Sequence, residues 1–136
     1  MAYEWNENLA SGHEMIDGQH KQLIDALNKL VEACAQGEGR AQLGNTLEFL
    51  NAYIVKHFGD EEKIMDEYNY PDYLIHRGYH EGFKTAVREL TNNLLKFGPT
   101  DTLVGEVHSS VAGWLVNHIR SEDFKLVAYI KAHSKE

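Results

Sequence analysis

Eight histidines stand among 136 residues, and five of them fall, with one glutamate, where a helix would otherwise keep its apolar stripe. His20 lies three residues before Leu23. His57 and Glu61 sit in phase between Ile54 and Ile64. His76 and His80 precede Phe83 in the same phase, and His118 follows Val111 and Leu115 in steps of four and then three. Ionisable groups in a core must be hydrogen-bonded, paired or metal-bound, because isolated burial is costly. Taken singly, each histidine reads as a core residue satisfied by a carbonyl or a tyrosine. Five together, with a carboxylate among them, are more simply explained by a shared metal centre. Residues four apart on a helix have Cβ atoms about 5–6 Å apart, so His57/Glu61 and His76/His80 can each converge on one centre.

One more carboxylate is needed for charge balance, and Asp123 is the candidate. It lies five residues after His118. Five residues turn an ideal helix by about 500°, which leaves Asp123 about 140° away from His118. Aiming both at one ion requires a π-type bulge, a kink or a break between them. The competing reading of Asp123 is a solvated acid in Ser121-Glu122-Asp123 that caps a last helix.

These side chains need long helices to bring them together, and the sequence supplies them. Pro71 and Pro99 are the only prolines, and Gly37, Gly39 and Gly98 add punctuation. A first helix is expected from about residue 17 to 36, with Asp17 as N-cap and Gly37 as stop; Leu23, Leu27, Leu30 and Cys34 form its stripe. A second is expected over about 41–68, with Leu43, Leu47, Leu50, Ile54, His57, Glu61, Ile64 and Tyr68 in phase. A third is expected over about 71–97, with Pro71 in its first turn and Tyr73, His76, His80, Phe83, Val87, Leu90, Leu94 and Phe97 in phase. A fourth starts near Asp101, and Leu126, Val127 and Ile130 suggest a further short helix. Steps of three and four mark one helical face, and short connections make consecutive helices antiparallel. The expected fold is all-α: an up-down-up-down four-helix bundle with an N-terminal arm over 1–16, bundle helices over 17–120 and a C-terminal helical extension over 121–136.

Composition narrows the function. With 13 basic and 21 acidic side chains, the formal charge is -8, which argues against a nucleic-acid binder. The single Cys34 excludes an internal disulfide framework and a cysteine-rich zinc site, and it is compatible with a reducing compartment. No apolar run approaches the length of a membrane span. Acids at Glu4 and Glu7 stand where a signal peptide would carry bases, so a cytoplasmic location is expected.

Four motifs occur in order: Asp17-Gly18-Gln19-His20, His57-Phe58-Gly59-Asp60-Glu61-Glu62, His76-Arg77-Gly78-Tyr79-His80, and Trp114-Leu115-Val116-Asn117-His118-Ile119 followed by Asp123. Together they span nearly the whole chain and resemble the hemerythrin family, in particular its bacterial domains. The resemblance implies a non-haem di-iron centre that binds O2 reversibly. On that likeness His76, His80 and His118 would bind one iron, His20 and His57 the other, and Glu61 and Asp123 would bridge both, beside an oxo or hydroxo bridge from solvent. The first iron then has six ligands. The second has five and keeps a position open for O2 or a small anion. Leu23, Phe58, Trp114, Leu115 and Ile119 match the family's apolar wall around bound O2. His13, His108 and His133 are expected at the surface, and Asp60 and Glu62 are expected to face outward or to stand behind ligands.

No catalytic residue is implied, and the chain reads as a binder rather than an enzyme. A ferritin-like oxidase or peroxidase would show Glu-x-x-His pairs on the stripe, and here histidines outnumber carboxylates. A zinc hydrolase would show His-Glu-x-x-His, and His80-Glu81 lacks the second histidine. Sequence likeness favours the type attached to methyl-accepting chemotaxis receptors, which implies an O2- or redox-sensing domain whose partner is the signalling region of a larger chain. A free O2 carrier or store is the alternative.

Overall fold

The computed structural model describes residues 7–133; the outer parts of the expected arm and extension lie outside them. A 3-10 turn, Glu7–Leu9, precedes the long helices α1 (Glu14–Ala35), α2 (Gly39–Glu67), α3 (Tyr73–Phe97) and α4 (Asp101–His118). A π-helical segment, Ile119–Asp123, leads into α5 (Phe124–His133). Consecutive long helices pack antiparallel, and α4 closes the bundle against α1 and α2. The expected architecture is therefore observed.

Several boundaries differ from the expectation, each for a local reason. Helix α1 begins three residues before Asp17, and its N-cap is His13, whose Nδ1 accepts from the Ile16 amide at 3.3 Å. Asp17 binds the arm instead: its carboxylate accepts from the Ser11 amide at 2.9 Å, the Ser11 hydroxyl at 2.7 Å and the Gly12 amide at 3.0 Å. Gly37 does end α1, at φ +78°, a backbone region open to glycine. Pro71 is not in the first turn of α3. It sits inside the turn closed by Tyr73 N–H donating to the Tyr70 carbonyl at 3.1 Å, where its fixed φ suits the bend. Gly98, at φ +77°, stops α3, and its amide donates to the Leu94 carbonyl at 2.8 Å. Thr100 then caps α4 by accepting from the Leu103 amide at 3.1 Å.

Apolar phase holds through the middle of each helix and slips at the ends. Cys34 is exposed, not part of the stripe. Met65 is fully buried, whereas Ile64 and Tyr68 are half-buried, and Phe97 is exposed. The buried apolar side chains form two clusters. The larger draws on all four long helices and runs from Leu30, Leu43, Val87 and Leu103 up to Leu23, Phe58, Leu115 and Ile119. The smaller joins Ile16, Met65, Tyr70, Leu126, Val127 and Ile130. Between them lies a layer of buried histidines and acids.

Candidate metal centre

The antiparallel order places the start of α1, the end of α2, the start of α3 and the end of α4 at one level. There His20, His57, Glu61, His76, His80, His118 and Asp123 meet, all between 0 and 5% exposed. Asp123 reaches the layer because the π segment winds more slowly than an α-helix and takes up the five-residue spacing from His118 in little more than one turn.

The seven side chains divide into two sets, and both sets include the two carboxylates. Glu61, His76, His80, His118 and Asp123 can each offer one donor atom to a first point, and His20, His57, Glu61 and Asp123 to a second. Glu61 splits its oxygens between them: Oε1 lies 3.2 Å from both His76 Nε2 and His80 Nε2, while Oε2 lies 3.1 Å from His57 Nε2 and 3.6 Å from His20 Nε2. Asp123 does the same: Oδ1 lies 3.0 Å from His76 Nε2 and 3.2 Å from His118 Nε2, while Oδ2 lies 2.8 Å from His20 Nε2. A spacing of about 3 Å is that of neighbouring corners around an ion with bonds of about 2.1 Å.

Electrostatics favour a cation here. Burial alone would lower the pKa of His20 and His76, but the Asp123 and Glu61 carboxylates outweigh it and raise both to about 9. Burial likewise opposes charge on Glu61, yet the surrounding histidines hold its carboxyl well below the usual range, and Asp123 is also held low. Among the described residues, the Nε2 atoms of His57, His76, His80 and His118 and the oxygens of Glu61 and Asp123 find no hydrogen-bond partner despite complete burial. Such atoms in a protein interior call for an ion. Imidazole and carboxylate together suit iron and its divalent neighbours, so the donor set fits a pair of such ions.

Aromatic and polar neighbours hold the donors in place. Phe58 stacks on His80 with ring centroids 3.9 Å apart, and Trp114 stacks on His118 at 4.3 Å. Leu23, Phe58, Leu115 and Ile119 are buried and Trp114 is half-buried, all within or against the larger apolar cluster. Glu62 Oε2 lies 3.0 Å from His80 Nδ1. Asp60 accepts from Gln19 Nε2 at 2.7 Å, and Gln19 Oε1 meets His57 Nδ1 at 2.6 Å. Gln19 was not singled out from the sequence, although it stands beside His20 in the first motif; its contact depends on how α1 and α2 pack. Of the other three histidines, His133 is exposed as expected, but His13 and His108 are half-buried. His13 is drawn in by its capping role, and His108 lies on the flank of α4 next to buried Val107.

Comparison with known proteins agrees with this picture. The family described as Hemerythrin HHE cation binding domain matches residues 11–130. Bacteriohemerythrin of Stenotrophomonas maltophilia is 33% identical over 129 residues, which cover 95% of this chain and 82% of that protein. Hemerythrin subunit alpha of Lingula anatina is 33% identical over 130 residues, covering 90% of this chain and 91% of that one. A solved structure of a leucine-to-phenylalanine mutant superposes with a TM-score of 0.81 at 27% identity, covering 96% of this chain and 98% of the other.

Proposed function

The chain belongs to the hemerythrin family, and from that premise we propose that its buried layer holds two iron ions and binds O2 reversibly. The observation that carries this reading is the division of Glu61 and Asp123, each offering one oxygen to each of two donor sets. His76, His80 and His118 complete one position and His20 and His57 the other. If a solvent-derived oxo or hydroxo group joined them, the second position, with two histidines against three, would be the one with room for O2 or a small anion. When bound, the iron pair supplies the two electrons that reversible O2 uptake draws on. The protein's own part is to fix the donors and to keep water out. Leu23, Phe58, Trp114, Leu115 and Ile119 are the side chains we assign to that dry wall.

This is binding rather than turnover, and none of the chain's residues is assigned a role as nucleophile or general base. Purified protein should contain two irons per chain. The reduced form should gain charge-transfer absorption on exposure to O2 and lose it when O2 is promptly withdrawn. Sustained turnover of an added reductant or organic substrate would replace this reading with an oxidase.

We further propose that the chain is a cytoplasmic O2- or redox-sensing domain of a chemotaxis signalling protein, a reading that rests on the resemblance of its four motifs to the receptor-attached type. Among the described residues no helix is long and apolar enough to cross a membrane. A carrier or store is the second reading, and the relatives named above, a bacteriohemerythrin and a hemerythrin subunit, are equally consistent with it. The full-length gene product decides between them: a signalling region joined to this domain supports the sensor, and its absence supports the carrier.

A further inference from the structure

The two positions differ in what stands behind their histidines. His80 is fully buried, and its Nδ1 faces the Glu62 carboxylate at 3.0 Å; the Glu62 side chain is 17% exposed. His57 Nδ1 faces the side-chain oxygen of Gln19 at 2.6 Å, and that contact is buried. The Gln19 nitrogen donates to Asp60 Oδ2 at 2.7 Å, and Lys56 Nζ donates to the same oxygen at 3.1 Å. An ionised carboxylate only accepts, so Asp60 fixes the amide with its nitrogen outward and its oxygen toward His57. His57 must then donate from Nδ1, which leaves the Nε2 lone pair facing the centre. Glu62 imposes the same tautomer on His80.

The tautomers match, but the charges do not. Behind His80 stands a carboxylate. Behind His57 stands a neutral amide, whose own acid is already paired with Lys56. A carboxylate behind an imidazole raises the basicity of the far nitrogen more than an amide does. We propose that Glu62 and Gln19 are positioning residues that widen the inequality already set by three histidines against two: the His76/His80/His118 position binds a divalent cation more tightly and fills first, and the His20/His57 position fills second. This rests on the two-metal reading above. It puts the weaker hold at the position with the free place.

Cobalt(II) titrated into metal-free protein tests it. Trp114 lies against His118, so its fluorescence is quenched most strongly by an ion at the three-histidine position. The chain has two tryptophans, and a Trp5→Phe background leaves Trp114 as the only one, excited selectively over the seven tyrosines at the red edge. Cobalt absorption counts total uptake. The parent should take up two cobalt ions, with quenching complete at the first equivalent. Glu62→Gln should weaken the quenching step about tenfold or more and leave the other step within about twofold. The double variant Gln19→Glu/Asp60→Asn conserves total charge but moves the carboxylate onto His57. It should tighten the second step, a gain that damaged folding cannot mimic. Equal changes in both steps, no change in either, or quenching that follows the second equivalent would overturn the proposal. Uptake of a single cobalt by the parent would instead sink the two-metal reading itself.

Discussion

The apolar clusters on either side of the polar layer are built differently. The larger is made by four helices facing one another, with Leu27, Leu30, Leu43, Leu47, Leu50, Val87 and Val107 all buried. The smaller is assembled from the ends of helices, a turn and α5, with Ile16, Met65, Tyr70 and Leu126 at its centre. The larger can close by hydrophobic burial alone. Three of the smaller cluster's buried residues, Leu126, Val127 and Ile130, lie on α5, which the π segment joins to α4, and Asp123, the last residue of that segment, points into the layer. The metal layer is thus also the joint between a self-sufficient core and a dependent one.

The largest effect should come from the self-sufficient side. Leu47 is about 1% exposed. Leu47→Ala removes a fully buried side chain far from the donors and should cost about 2–5 kcal/mol of stability. Iron content should stay at the parent level, because no donor is disturbed. Denaturant midpoints together with metal analysis check both halves of this statement. Loss of iron in a still-folded Leu47→Ala protein would mean that the two regions are not separable.

Next comes the layer itself. His57→Ala and His80→Ala each delete one donor and should weaken metal binding at least tenfold, while His133→Ala should leave iron content unchanged. Removing the metal from the parent should loosen the smaller cluster more than the larger, because metal binding to a preformed site is linked to folding. Amide exchange should rise in α5 and around Met65 and Tyr70 before it rises near Leu30 or Leu47. Uniform acceleration along all the helices would break the distinction between the two cores.

The layer was the most legible part of the sequence, because its residues violate the apolar pattern of the helices that carry them. Asp123 shows this best: helix arithmetic put it out of phase with His118, and a π segment resolves the mismatch. Legibility failed where the determinant was a contact between elements. Gln19 breaks no pattern, and its partners Asp60 and His57 lie on another helix. Asp17 looked like a cap because the sequence does not show that Ser11 and Gly12 fold back onto it. At helix ends the phase itself slips: Cys34 is exposed, and Ile64 is only half-buried while its neighbour Met65 takes the fully buried place.

A third, smaller effect concerns pH in the metal-free protein. His20 and His76 have folded pKa values raised from 6.5 to about 9, so their stabilisation is complete below 6.5 and fades as pH rises through 9. Glu61 and Asp123 are depressed from 4.5 and 3.8, so theirs is complete above about 4.5 and fades in acid. Metal-free stability should therefore peak between about pH 4.5 and 6.5 and decline on both sides. Metal uptake should follow the opposite course above neutrality: protons leave His20 and His76, so affinity should climb until about pH 9. Urea midpoints and metal titrations across that range measure the two trends, and Leu47→Ala should shift the first curve downward without changing its shape.

The smallest effect lies on the border between the two regions. Leu115 is buried in the larger cluster and stands three residues before His118, on the same face of α4. Leu115→Asn should keep two irons, since no donor is touched and the amide is close to leucine in size. A buried amide without a full set of partners costs about 1–3 kcal/mol, less than the upper range for Leu47→Ala. Its specific consequence is chemical. The amide recruits water and donates a hydrogen bond into a wall assigned to exclude both, which helps protons and anions reach the free metal place. The O2 adduct should therefore decay faster in Leu115→Asn than in the parent at equal iron content. Decay of the charge-transfer absorption after O2 exposure measures this directly. A lifetime equal to or longer than the parent's would assign Leu115 wholly to the apolar core and move the O2 place to another side of the centre.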